Sequence, residues 1–232
     1  MPILEITNLV KDYSTGSTMV HALRGISCSI SEGTTASIVG KSGCGKSTLL
    51  NILGGLDQPT KGLVNYKGQA ISSFKSNRLA DYRKTEVGMI FQSFNLIPTL
   101  TAWENIAMAL AIGDIPRKRR KQRATELLGY MGLEDRTSHL PTELSGGECQ
   151  RVAIARSIAN NPKVILADEP TGNLDTETSG QIMTLLRKLN KEEGKTIIMV
   201  THDLEYANNF ADLIITMKDG QIIETKEKLP KS

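Results

Sequence analysis

Gly40-Lys41-Ser42-Gly43-Cys44-Gly45-Lys46-Ser47 decides how the rest of this chain is read. The octet spells G-x-x-x-x-G-K-[ST], a loop whose backbone N–H groups close around phosphate oxygens. Its glycines permit the curl, and the curl aims the N–H groups inward at an anion. Lys46 is long enough to reach the outer phosphates of a nucleoside triphosphate, and Ser47 offers a hydroxyl to a Mg2+ ion beside them. Thr48 follows in helical text over residues 46–54, whose positive end faces the same anion. Upstream, residues 34–39 form a short apolar run that ends directly at Gly40. Strand, glycine loop and helix in that order predict an α/β fold built on a phosphate-binding core.

Downstream, Val164-Ile165-Leu166-Ala167-Asp168-Glu169 is an apolar run ending in two carboxylates. A buried strand that delivers Asp168 beside the loop can hold Mg2+, directly or through water. Glu169 is then placed to polarise an attacking water as a general base. Alone, the pair would also read as a polar turn before Pro170; the loop at residues 40–47 favours the catalytic reading. Leu144-Ser145-Gly146-Gly147-Glu148 opens a further helix. Ser145 and Glu148 form a capping box, which accounts for those two residues structurally. It does not account for two adjacent glycines, which leave the N–H groups of a helix start open to an anion. The chain thus carries two anion-binding helix starts, and if both grip one nucleotide the simplest geometry is two chains facing head to tail.

Around these motifs, residues 3–9 and 22–30 alternate as antiparallel strands joined through a Ser/Thr/Gly-rich turn at 14–18, and residues 62–68 read as a strand and turn. Helical text covers residues 103–111, 117–131 and 145–160. The middle helix follows Pro116, carries Ala124, Leu127, Leu128 and Met131 as one apolar stripe, and stops at Gly132. Strand text returns at 164–167, 196–200 and 213–217. Residues 1–232 are therefore expected to form a single domain, with a helical subdomain at about residues 94–161 inserted in the core. The charged end, residues 226–232, is expected to fray.

With 232 residues the chain needs no disulfide or metal to fold. Cys28, Cys44 and Cys149 are widely spaced and form no CxxC pair, which argues for a reducing compartment and against a zinc site. Cys44, at a helix start beside Lys46, is in a setting that favours thiolate, so bound nucleotide is expected to slow its labelling; a small residue filling space is the plainer alternative. No apolar run approaches a membrane span and the start lacks a leader pattern, so a cytoplasmic location is expected. A net charge of +3 and 4% aromatic residues are too little for an electrostatic nucleic-acid binder.

The loop at residues 40–47, the Leu144-Ser145-Gly146-Gly147 signature, the Asp168-Glu169 pair and His202 resemble, in this order, the ATP-binding cassette (ABC) family, across essentially the whole chain. The resemblance implies a P-loop NTPase core of mixed or parallel sheet, an N-terminal antiparallel β-subdomain, ATP and Mg2+ as cofactors, and hydrolysis of ATP. It also implies a homodimer in which the Ser145-Gly146-Gly147 tip of one subunit caps the γ-phosphate held by the other. Tyr13 then looks like the aromatic that stacks on adenine. Gln92, in Ile90-Phe91-Gln92, resembles a glutamine that contacts Mg2+ and water, joining Ser47 and Asp168 as metal residues. Asp175, in Leu174-Asp175, resembles a residue at the dimer interface, and His202 one that bonds the γ-phosphate and orients water. Two positions depart from the family pattern. Lys41 stands where proline is common, with its side chain expected to point outward, and Cys149 stands where glutamine or arginine is usual.

Gly54-Gly55-Leu56-Asp57, Phe94-Asn95-Leu96-Ile97-Pro98-Thr99-Leu100-Thr101 and Thr171-Gly172-Asn173-Leu174-Asp175 resemble the branch that serves lipoprotein release, macrolide export, antimicrobial-peptide resistance and cell division. That resemblance implies a separate integral-membrane permease as partner, docked near Gln92 and residues 94–101, and a peripheral place on the inner face of the cell membrane. Trp103 is expected in the core. The competing class is a nucleic-acid-linked ABC ATPase, supported only by Arg117-Lys118-Arg119-Arg120-Lys121-Gln122-Arg123, which equally describes a solvated helix face or one turned toward anionic lipid. A GTP switch would need a guanine-reading NKxD, which Asn190-Lys191-Glu192-Glu193 lacks.

Overall fold

Strands that are buried at every position, rather than at alternate ones, must be covered on both faces, and this is the condition of a parallel sheet packed between helices. Three such runs occur here: β3 (Thr35–Val39) and β8 (Thr196–Thr201) are buried throughout, and β7 (Val164–Asp168) is buried until its last residue. The computed structural model of the chain describes residues 2–16 and 18–228. In chain order the remaining elements are β1 (Pro2–Thr15), β2 (Thr18–Ser31), α1 (Lys46–Leu53), β4 (Lys61–Tyr66), β5 (Gln69–Ala70), α2 (Ser76–Thr85), β6 (Val87–Ile90), α3 (Ala102–Ile112), α4 (Arg117–Tyr130), α5 (Gly146–Ser157), α6 (Thr176–Glu193), α7 (Leu204–Phe210), β9 (Leu213–Lys218) and β10 (Gln221–Glu227).

They form two sheets. One has four antiparallel strands in the order β2-β1-β4-β5, and the other has six in the order β10-β9-β3-β8-β7-β6. The five strands from β9 to β6 run parallel, and β10 closes the edge antiparallel to β9. Strands β3, β7 and β8 are central, so the loops at the C-terminal ends of neighbouring strands meet at one edge, where α/β sheets place their ligands. Helix α1 lies between the two sheets, with Leu49, Leu50, Ile52 and Leu53 buried in a core shared with Ile6, Leu9, Ile26 and Ile30 of the antiparallel sheet.

Between the adjacent strands β6 and β7 the chain makes α3, α4 and α5, packed with the other face of the parallel sheet in a second apolar cluster. Ala124, Leu127 and Leu128 are the buried residues of α4, and Met131 joins them just past its end. The basic run on this helix is thus the solvated face of an amphipathic element. Trp103 packs partly buried against the same cluster, with the Lys121 ammonium 5.4 Å from its ring centroid. Asn190 is buried and donates to the carbonyls of Gly33 and Lys195, so it serves the fold rather than a guanine.

Two expectations are corrected. Lys226 and Glu227 do not fray: they belong to β10 and pair with Ile214 and Leu213, and the Lys228 N–H donates to the Asp212 carbonyl at 2.8 Å. Sheet pairing supplies the order that composition does not, and residues 229–232 lie outside the described residues. The helix read over 145–160 ends earlier, at Ser157. No helix among the described residues is long and apolar enough to cross a membrane.

Candidate nucleotide site

The loop at residues 40–47 joins β3 to α1 at the edge where the parallel strands end. Gly45 has φ +101, and a Cβ there would lie 2.4 Å from the Ala22 carbonyl oxygen, so neither the backbone conformation nor the space admits a side chain. Helix α1 starts without a side-chain cap, unlike α5, α6 and α7, which are capped by Ser145, Asp175 and Asp203. Its first-turn N–H groups are therefore left for an anion. Lys46 is buried, and its ammonium donates to the carbonyls of Gly40 at 2.8 Å and Lys41 at 3.1 Å, folded over the loop it follows. Lys41, Ser42 and Gly43 are exposed, so Lys41 does point outward. Cys44 does not behave as an accessible thiol. It is buried in the core beneath the loop, so space filling explains it, and the expectation of a nucleotide-sensitive reactive group loses its basis.

The carboxylates at the end of β7 find different partners. The Ser47 hydroxyl donates to Asp168 Oδ1 at 3.1 Å, tying α1 to β7. Burial pushes the Asp168 carboxyl above its ordinary range, helped by the neighbouring Glu169 charge and opposed by the Ser47 bond and by Lys46. Glu169 leaves the strand in the left-handed region, at φ +46, held by its N–H to the Val200 carbonyl and by the Gly172 N–H to its own carbonyl. Such a conformation in a non-glycine residue is a local cost that tends to be kept where geometry matters. The Glu169 carboxylate lies 3.1 Å from Nδ1 of His202, the residue that follows β8. A proton on Nδ1 donates to the carboxylate and leaves Nε2 pointing elsewhere, and the imidazole is 67% exposed. A cavity of about 400 Å³ opens beside this pair, with Leu174, Ser179 and Tyr206 also in its wall.

Gln92 does not bond to Ser47 or Asp168. Its amide lies 3.5 Å from Asn173 Oδ1, and Asn173 Nδ2 donates back to the Gln92 carbonyl at 3.0 Å, so the two segments after β6 and β7 are pinned together. At the α5 tip, Ser145 accepts from the Glu148 N–H, and the Glu148 carboxylate accepts from the Ser145 N–H and from Arg136 Nε at 2.9 Å. The glycines here have a reason that was not anticipated. A Cβ on Gly147 would lie 2.4 Å from Thr178 Cγ2, and one on Gly146 would lie 3.3 Å from a Leu174 methyl. The α5 tip is thus bare at least in part because α6 packs on it. Asp175 caps α6 through the N–H and hydroxyl of Thr178, which holds that methyl in place.

Tyr13 stands on β1, 37% exposed, with its hydroxyl donating to Asp57 Oδ2 at 2.7 Å. The sequence therefore placed its residues in two groups. The structure joins Ser47 to Asp168 and Glu169 to His202, whereas the tip at Ser145 belongs to another element and bonds to neither.

The family model described as ABC transporter matches residues 23–172. An uncharacterized ABC transporter ATP-binding protein of Thermotoga maritima is 50% identical over 220 residues, 95% of this chain and 93% of that protein. The ABC transporter ATP-binding protein MJ0796 of Methanocaldococcus jannaschii is 46% identical over 231 residues, 98% of this chain and 97% of that one. The chain belongs to the ABC transporter family. A dimeric structure of a post-hydrolysis state of the cassette MJ0796, bound to ADP and Pi, matches it with a TM-score of 0.89 at 43% identity, over 97% of this chain and 98% of that one. A second dimeric structure of MJ0796 matches equally well, with a TM-score of 0.89 at 44% identity and the same coverage.

As an ABC transporter ATP-binding subunit, the cassette binds and hydrolyses ATP. Its residues also fit a Mg2+ ion. A hydroxyl and a carboxylate oxygen 3.1 Å apart suit neighbouring positions on a small cation, because two ligands at about 2.1 Å and a right angle are about 3.0 Å apart. Among the described residues no cluster of three or more His, Cys, Asp or Glu could hold a metal alone, so further oxygens would come from phosphate and water, the habit of Mg2+. Sequence reasoning missed several residues of this cassette that position the others: Asn173 on Gln92, Thr178 on Gly147, Asp57 on Tyr13, and Arg156, whose guanidinium donates to the carbonyls of Phe94 and Asn95. Asn173, Asp57, Phe94 and Asn95 sit in the stretches that carry the branch resemblance, but a lone polar side chain announces no partner in sequence.

Proposed function

We propose that two copies of this cassette close head to tail around two ATP molecules, each held by the loop at residues 40–47 of one copy and the Ser145-Gly146-Gly147 tip of the other. The observation that carries the reading is the pair of contacts at the end of β7, where Ser47 meets Asp168 and His202 meets Glu169, each at 3.1 Å. In this reading Lys46 and the free N–H groups of α1, Thr48 included, hold the β- and γ-phosphates. Ser47, Asp168 and Gln92 would hold Mg2+, which when bound neutralises charge on the phosphate oxygens. Glu169 is the general base for the attacking water, and His202 keeps its carboxylate oriented and offers the other ring nitrogen to the γ-phosphate. Asp175 and Leu174 lie at the seam between copies. The dimer seen for MJ0796 supports this arrangement.

Residues 1–232 act as one nucleotide-binding unit in this proposal, with residues 94–161 as the subdomain that presents the signature tip. A permease would dock in the cleft of about 280 Å³ that contains Phe91, Asn95, Ile112 and Arg156, and would hold the cassette at the inner face of the cell membrane. The branch motifs favour lipoprotein release, macrolide export or peptide resistance as the work driven. Steady-state hydrolysis tests the reading. Lys46→Ala is expected to lower the ATPase rate at least about a hundredfold, and the rate per subunit of the unaltered protein is expected to rise with protein concentration. A rate per subunit independent of concentration down to the nanomolar range would count against hydrolysis between copies.

A further inference from the structure

We propose that Asp57 is a positioning residue for the nucleotide base, locking the Tyr13 ring to the helix that carries the phosphate loop. The inference rests on the reading of Tyr13 as the adenine platform. A tyrosine well exposed on a strand would ordinarily be free to change rotamer, and a stacking surface that moves costs affinity when a ligand fixes it. Here it is held through its hydroxyl and over one ring face. The Tyr13 hydroxyl donates to Asp57 Oδ2 at 2.7 Å. Asp57 lies in the loop that leaves α1, and its N–H donates to the Asn51 carbonyl of that helix at 3.3 Å. This hold therefore ties the base platform to the element that sets the phosphates.

The second oxygen of Asp57 is also occupied. Lys11 Nζ donates to Asp57 Oδ1 at 2.6 Å and to the Gln58 carbonyl at 2.7 Å, and the Gln58 N–H donates to the same Oδ1 at 2.7 Å. Lys11 stands two residues before Tyr13, on the same face of β1, and its ammonium is 4.8 Å from the Tyr13 ring centroid. One face of the ring is thus covered by a cation fixed by Asp57, which leaves the other face for a base. A single carboxylate sets both the tilt of the ring, through its hydroxyl, and which face is open, through Lys11.

The experiment measures ATP hydrolysis by the full chain alongside competition by inorganic tripolyphosphate, which occupies the phosphate loop without a base. Tyr13→Phe removes only the hydroxyl, Asp57→Ala removes both the acceptor of that hydroxyl and the anchor of Lys11, and Tyr13→Ala removes the platform. Asp57→Ala and Tyr13→Phe are each expected to raise KM for ATP about three- to tenfold with kcat within about twofold, while the inhibition constant of tripolyphosphate stays unchanged. In a Tyr13→Ala background, Asp57→Ala is expected to add no further increase. If Tyr13→Ala raises KM but neither Asp57→Ala nor Tyr13→Phe does, the positioning role is overturned and the platform reading survives. If Tyr13→Ala itself leaves KM unchanged, the platform reading fails first. A parallel rise in the tripolyphosphate constant would show a damaged phosphate loop and would equally overturn the assignment.

Discussion

At Gly147 one methyl group separates a tolerated from a disruptive change. Alanine is the better helix former, yet its Cβ would stand 2.4 Å from Thr178 Cγ2. Gly147→Ala is therefore expected to lower unfolding stability by about 1–3 kcal/mol, read as a lower urea midpoint. Thr178→Ser deletes the offending methyl and keeps the hydroxyl that Asp175 accepts from, so the double variant is expected to regain most of the loss. No rescue would mean that the clash is not the cause. Glu148 at the same tip has a carboxyl held below its usual range by the Ser145 N–H and by Arg136. A depressed native pKa adds stability that is complete above the unfolded value, near 4.3, and is lost as pH falls through the lower native value. The stability difference between the unaltered protein and Glu148→Gln is thus expected to be largest above about pH 5 and to shrink in more acid solution. A difference constant with pH would contradict this.

Among the elements, the turn after β6 is the one whose shape depends most on a distant side chain. Phe94 and Asn95 are consecutive residues in the left-handed region, at φ +59 and +51, and the Arg156 guanidinium from α5 takes both of their carbonyls. Arg156→Met keeps much of the bulk and removes the donors. It is expected to speed amide hydrogen exchange over residues 93–97 at least about tenfold while leaving β7 and β8 protected. Exchange that stays slow in the turn would show that Arg156 is not its clamp. The same elements show what could be read in advance. Strands β3, β7 and β8 were legible because burial on both faces favours short, largely apolar runs, and α4 because Ala124, Leu127 and Leu128 repeat at helical spacing. Helix α2 was not, since only Leu79 and Tyr82 are buried in its ten residues, too few to show a period. Strand β10 was invisible for a related reason: nearly every side chain is exposed, and pairing with β9 alone makes it a strand. At the site, motif residues with fixed chemistry were legible, while Asn173, Thr178 and Asp57 act through contacts across the fold that spacing does not encode.

For the molecule as a whole, the chain holds two helix starts of different character. The start of α1 is uncapped, with a buried lysine over it, and the tip of α5 is capped and packed against α6. Among the described residues neither bonds to the other's residues, and in the proposed dimer each is half of a site that a second copy completes. Removing the proposed general base while keeping its size isolates that event from turnover, because Glu169→Gln retains the neighbour of His202 but cannot accept a proton from water. The direct measurement is the molar mass of the Glu169→Gln variant by light scattering, with and without Mg-ATP. One chain mass is expected without nucleotide and twice that mass in saturating Mg-ATP, reverting to one chain mass when Ser145 is additionally replaced by a bulky residue. A single chain mass in saturating Mg-ATP, with ATP shown to be bound, would contradict it.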